Sequence, residues 1–186
     1  MSYVEDLIAS YGRQVSLPWA NHVAPPQRIW MAVYPPEYER KVRLHVPEFE
    51  TTTLRENRSW ALVDITNAFE SWMAHHEYAQ TYFEEPELLE TAMPSFFDHL
   101  VRVVRTELEA HQDANGVIAL LGAGTLFGLG DTVKVSALVS AVSSSVNGRL
   151  LVFFPGNHEH NSYRLLDARD GWDYLATPIT AEGAKR

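Results

Sequence analysis

The chain has 186 residues, 46% of them hydrophobic and 21% charged, enough to bury one core and too apolar for a wholly disordered segment. Its 15 Lys and Arg against 24 Asp and Glu leave a formal charge of −9, which disfavours nucleic acid as a sole partner. It has no cysteine, which excludes disulfides, cysteine-ligated zinc, iron–sulfur clusters and thiol catalysis.

The first residues carry no basic and apolar leader, and no apolar run approaches the roughly 18 residues of a membrane span. A cytoplasmic protein with no membrane segment is therefore expected. Ser2 and Glu5 have capping-box spacing and should open a helix with Leu7, Ile8, Tyr11 and Val15 on one face. Residues 28–34, bounded by Pro26 and Pro35, read as a buried strand. A helix opening on prolines is expected over 36–46, and the polar stretch 51–59, with Thr51, Thr52 and Thr53, as a connection.

Residues 60–65 read as a second strand with Asp64 at its carboxyl end, and Thr66 or Asn67 can cap the helix that carries Phe69, Trp72 and Met73. A long helical pattern runs from Pro86 to about His111, with a break or kink expected at Pro94. Residues 117–121 form a third strand, followed by the turn Gly122-Ala123-Gly124 and a helix with Val135, Leu138, Val139 and Val142. Ser143, Ser144 and Ser145 read as its polar end. Residues 149–154 form a fourth strand that Pro155 and Gly156 should close, and short apolar runs follow at 163–166 and 174–179.

Solid apolar strands alternating with helices specify an α/β chain. The expectation is a single three-layer domain over residues 1–180, with a mainly parallel sheet (Rossmann-like or degenerate P-loop-like) flanked by helices. Residues 181–186 should fray. The expected core includes Trp30, Val33, Leu62, Val63, Ile118, Leu120, Val152 and Phe154.

Ligands of such sheets sit beyond the strand carboxyl ends. The first candidate there is the glycine turn from Gly122 to Gly128, which could cradle a phosphate on free N–H groups. It lacks the Gly-Lys-Ser/Thr of a P-loop, and Phe127 stands where the dinucleotide pattern needs glycine. Tight packing is its alternative reading, and no nucleotide cofactor is expected. His158 and His160 beside Glu159 could hold a metal, but zinc needs three or four ligands, and His75-His76-Glu77 is the only other cluster. A solvated turn is the alternative, and no metal is expected. Asp64 could hold a metal or act as a base, or simply cap the next helix. No nucleophile elbow is present.

The tail offers Tyr163, Arg164, Asp167, Arg169, Trp172 and Tyr174 as a docking surface, or else as an edge hairpin turning at Asp170-Gly171. Between Thr66 and Asp113 ten acids stand against Arg102 and Arg105. That arm could meet a basic partner, or be a solvated helical face. Arginine outnumbers lysine twelve to three, which suits fixed hydrogen-bonded pairs.

Several segments together resemble one family. They are 46–50 (VPEFE), 60–66 (WALVDIT), 72–78 (WMAHHEY), 82–87 (YFEEPE), 149–156 (RLLVFFPG) and 163–174 (YRLLDARDGWDY). The likeness, over roughly residues 7–180, is to BrxB, a small component of the BREX bacteriophage-exclusion systems. It implies a cytoplasmic protein working beside the alkaline-phosphatase-like PglZ, an ATPase and a DNA methyltransferase, and it assigns no catalytic residue. The expected function is a non-catalytic scaffold or adaptor that binds a PglZ-like partner. The alternative is a nucleotide- or metal-dependent enzyme acting at the strand carboxyl ends. Asp64, the glycine turn and His158 lining one open pocket would favour the enzyme. Phe127, Phe153 and Phe154 filling that end would favour the binding module.

Overall fold

The computed structural model describes residues 2–169 and 171–182. Asp170, with the Asp-Gly turn assigned to it, and residues 183–186 of the expected frayed tail lie outside the described residues.

The first helix, α1 (Tyr3–Ser16), begins where the spacing of Ser2 and Glu5 places it. The Ser2 amide donates to Glu5 Oε2 at 2.6 Å and the Glu5 amide to Ser2 Oγ at 3.3 Å, so two otherwise orphaned donors are satisfied reciprocally. Strand β1 (Ile29–Tyr34) follows, buried throughout. Helix α2 (Glu39–Arg55) runs straight through the segment expected as a polar connection. Pro47 lies inside it, and the three threonines after it turn inward on the helix itself. Thr51, Thr52 and Thr53 donate to the carbonyls of Pro47, Glu48 and Phe49 at 2.8, 2.7 and 2.8 Å.

Next come β2 (Trp60–Asp64), α3 (Ala68–Ala74), the short α4 (Ala79–Glu84) and α5 (Leu89–Ala110). No sequence signal announces α4. Helix α5 continues through Pro94 without a break, because a proline this near the helix start removes few bonds. Strand β3 (Val117–Leu121), α6 (Val135–Val142) and β4 (Arg149–Glu159) follow. Strand β4 does not stop at Pro155 and Gly156. It continues because β5 (Ser162–Leu165) pairs antiparallel with its extension, Gly156 opposite Leu165. A Cβ on Gly156 would lie 2.0 Å from the Arg164 carbonyl oxygen. The chain closes with β6 (Trp172–Asp173) and β7 (Thr177–Ile179).

The order of the parallel strands is β2-β3-β4-β1-β7, which departs from the Rossmann order. Side chains alternate across the sheet. Ile29, Met31 and Val33 face one core layer with α5 and α6, while Trp30, Ala32 and Tyr34 face the other with α1 and α2. The sheet is thus sandwiched between helical layers, a three-layer α/β domain. Ala181, assigned to the frayed tail from sequence, is buried in the second layer.

Of the expected core, Trp30, Val33, Val63, Ile118, Leu120, Val152 and Phe154 are buried, but Leu62 is 43% exposed. Strand β2 is an edge strand, and its outer face escapes full cover by α2. No described helix is long and apolar enough to cross a membrane.

Candidate functional site

The chain leaves β1 toward α2 on one face and leaves β4 toward β5 on the other. The switch point of the sheet therefore lies between β1 and β4, where open sheets hold ligands. Here that point is filled. Tyr34 pairs in register with Pro155, and its hydroxyl donates to Glu39 Oε2 at 2.6 Å, while Arg43 Nε donates to Glu39 Oε1 at 2.7 Å. Burial, and then the Glu39 carboxylate, push the Tyr34 phenol well above its ordinary range.

The glycine turn serves packing. Gly122 takes φ +99°, and a Cβ there would lie 2.6 Å from the Thr66 amide nitrogen. A Cβ on Gly124 would meet the Pro155 ring at 3.1 Å. The Thr125 amide donates to the Gly122 carbonyl at 3.0 Å and its hydroxyl does so at 2.7 Å. The turn thus spends the Thr125 amide and hydroxyl on itself. Asp64 Oδ1 accepts from the Thr66 amide at 2.9 Å and from the Thr66 hydroxyl. Asn67 occupies the N-cap position of α3 without a side-chain bond. Asp64 therefore orders the turn into α3.

The open space lies to one side, a cleft of about 860 Å³ beside the carboxyl half of β4. One wall is the loop after β3 and the start of α6, with Phe127, Gly128, Gly130 and Lys134. The other wall is the C-terminal hairpin, with Arg169 and Trp172, and Phe154 lies between. Gly128 and Gly130 take φ +83° and +91°, and a Cβ on either would meet nothing within 4 Å. Their conformation bends the loop, which glycine allows at no steric cost. The turn read from sequence as a candidate, Gly122 to Gly128, reaches the first glycine of this pair and stops short of Gly130. The pair's signal was Gly128-Leu129-Gly130-Asp131, two glycines bracketing one residue with no strand to follow.

The cleft carries both signs of charge. Asp131, Asp167 and Asp173 line it with Lys134 and Arg169, and Lys134 Nζ lies 3.4 Å from Asp131 Oδ1. Of the six tail residues singled out from sequence, Tyr163, Asp167, Arg169 and Trp172 line the cleft. Tyr163 is 1% exposed and donates to the Ala176 carbonyl at 2.9 Å. Its hydroxyl ties the hairpin to the segment before β7, which leaves little of its ring at the cleft surface. Burial pushes its phenol upward. Arg164, the next residue on β5, is exposed and stands opposite Asn157 in the register, on the other face of the hairpin. Trp172 and Tyr174 are half-buried with ring centroids 4.5 Å apart.

The histidines do not converge. The His158 ring packs 4.5 Å from that of Tyr163, and burial lowers its pKa. His160 and Asn161 take φ 48° and 69° as the two-residue turn between β4 and β5. His75 Nδ1 lies 2.8 Å from the Ser71 carbonyl oxygen, while His76 packs on Trp72 at 4.7 Å. Among the described residues no three His, Asp or Glu side chains gather as a metal would need. The walls of the cleft hold aromatic faces, carboxylates and cations. Asp64, Gly122, Gly124 and His158 do not line it; of the glycine turn only its end, from Leu126 to Gly128, does.

No protein-family model, no curated protein and no solved structure matches the chain.

Proposed function

We propose that this chain is a non-catalytic adaptor of a BREX-type phage-exclusion assembly, and that it binds a PglZ-like partner through the C-terminal hairpin. One observation carries the reading. The longest of the segments that resemble BrxB, residues 163–174, contributes Tyr163, Arg169 and Trp172 to one wall of the large cleft, with Trp172 half-buried at its surface. A partly exposed tryptophan in a cleft that also holds Arg169 is the side-chain chemistry that anchors protein interfaces. In this reading the protein works in the cytoplasm beside the other components of the assembly.

The test is a pull-down of the purified chain against each BREX component. The Arg164→Ala/Trp172→Ala variant, checked for an intact fold by thermal melting, should lose the PglZ-like partner. One anchor contributes about 2 kcal/mol or more, so affinity should fall at least about tenfold. Unchanged binding to every component would sink the reading.

A second reading, a nucleotide- or metal-dependent enzyme, is favoured by the position of the cleft beside a strand carboxyl end. Loss of phage protection in a Trp172 variant with all complexes intact would select it.

A further inference from the structure

Between β2 and α5 the chain makes an excursion that hides almost nothing. Helix α4 has no buried residue. Phe83 is 76% exposed and Tyr78 54%, with Leu88 close by in sequence and also exposed. Exposed apolar groups rimmed by charge mark interaction surfaces. The excursion is nonetheless held in place. His76 packs on Trp72 and on Tyr82 at 4.7 and 5.2 Å, and Trp72 packs on Phe96 of α5 at 5.4 Å. Phe83 is therefore presented from a fixed support.

The charge of this arm is of one sign. No Lys or Arg occurs between Arg58 and Arg102, while Glu77, Glu84, Glu85, Glu87 and Glu90 flank Phe83 in the sequence. The ion pairs Arg43–Glu39, His45–Glu48 and Lys134–Asp131 involve none of these carboxylates, and Glu84 Oε1 accepts from Gln80 Nε2 at 3.0 Å. Glu84 ends α4 and Glu85 is its C-cap, so two carboxylates sit at the negative pole of the helix. That placement is locally unfavourable, and a bound cation relieves it. Breaches of local preference of this kind concentrate at functional sites.

The geometry points to a second docking surface, independent of the C-terminal hairpin. The arm over residues 76–90 takes a cationic amphipathic segment of a partner protein, with Phe83 entering the apolar face and the glutamates meeting Lys or Arg. The excess of acids in the arm excludes nucleic acid as the occupant and disfavours a second copy of this acidic chain.

The test uses the full chain and a labelled synthetic peptide with leucine on one helical face and arginine on the other. The same peptide with glutamate in place of arginine is the control. Anisotropy should show the arginine peptide binding, weakening with added salt, and the glutamate peptide failing to bind. Phe83→Ser and Glu84→Lys/Glu87→Lys should each weaken it about tenfold or more. Glu50→Lys/Glu56→Lys, the same charge change on α2 and its C-cap, and Trp172→Ala in the cleft should leave it unchanged. Equal loss in the α2 variant would reduce the binding to net charge and overturn the proposal. So would no binding, an unchanged Phe83→Ser, or sedimentation showing that Phe83 joins two copies. The Trp172→Ala arm separates this outcome from failure of the hairpin reading.

Discussion

The guanidinium carbon of Arg58 sits 3.6 Å from the centroid of the Trp19 ring. Arg149 approaches the same ring at 4.8 Å. Arg58 also donates from Nε to the Val15 carbonyl at 2.9 Å and from Nη2 to the Leu17 carbonyl at 3.1 Å. It thereby caps the carboxyl end of α1, where a cation suits the helix dipole. A lysine keeps the charge and loses the fork and the stacked plane. Arg58→Lys should therefore destabilise by about 1–2 kcal/mol, measured by urea denaturation. A variant as stable as wild type would mean that the stack is incidental.

Burial separates residues that sequence treats alike. Phe154 lies in the central strand β4 and is 1% exposed, whereas Leu62 on the edge strand β2 is 43% exposed. Phe154→Ala should cost about 3–5 kcal/mol. Leu62→Ala should cost less than about 1 kcal/mol. Equal midpoint shifts in denaturant would contradict the position of β2 at the sheet edge.

The same pair shows how far the sequence could be read. Strands β1, β3 and β4 carry unbroken apolar runs because both faces are covered, so their existence was plain. Strand order was not, since nothing local in Leu62 says that its neighbour on one side is missing. Thr51, Thr52 and Thr53 suggest a connection because they are polar and propensity disfavours threonine in helices. Tertiary packing of Phe49 and Thr53 overrides that preference. The tail aromatics were visible as a set. Which of them turns inward depends on strand register, and register seats Tyr163 inward and leaves Arg164 outside. The cleft was half legible, because its hairpin wall is aromatic and charged, whereas its loop wall is built by the backbone of Gly128 and Gly130.

His158 should give the fold an acid-side weakness. Burial holds its pKa below the ordinary 6.5. The folded protein then binds fewer protons than the unfolded chain once pH falls below that value. Stability is unaffected well above it, falls as pH drops through it, and levels off below the folded pKa. His158→Phe keeps a ring against Tyr163 and removes the titration. Melting temperatures of both proteins from about pH 8 to about pH 5 should diverge on the acid side, with the variant losing less. Parallel curves would show that His158 is already well solvated.

The α1–α2 layer buries a pair of hydroxyls, Tyr11 and Thr53. Tyr11 Oη and Thr53 Oγ1 are 2.5 Å apart, and both residues are fully buried. Thr53 commits its one proton to the Phe49 carbonyl at 2.8 Å, so Tyr11 must donate. Burial raises the Tyr11 phenol far above its ordinary value, and it stays a donor wherever the protein is folded. Thr53→Val strands that donor and should cost about 1–3 kcal/mol. Tyr11→Phe leaves Thr53 bonded to its own helix and should cost about 0.5–1.5 kcal/mol. In the double variant no hydroxyl is stranded, so its loss should fall short of the sum of the two by about 0.5 kcal/mol or more. Strict additivity in a double-mutant cycle would mean that the two hydroxyls do not bond, and that α2 is held over α1 by its apolar face alone.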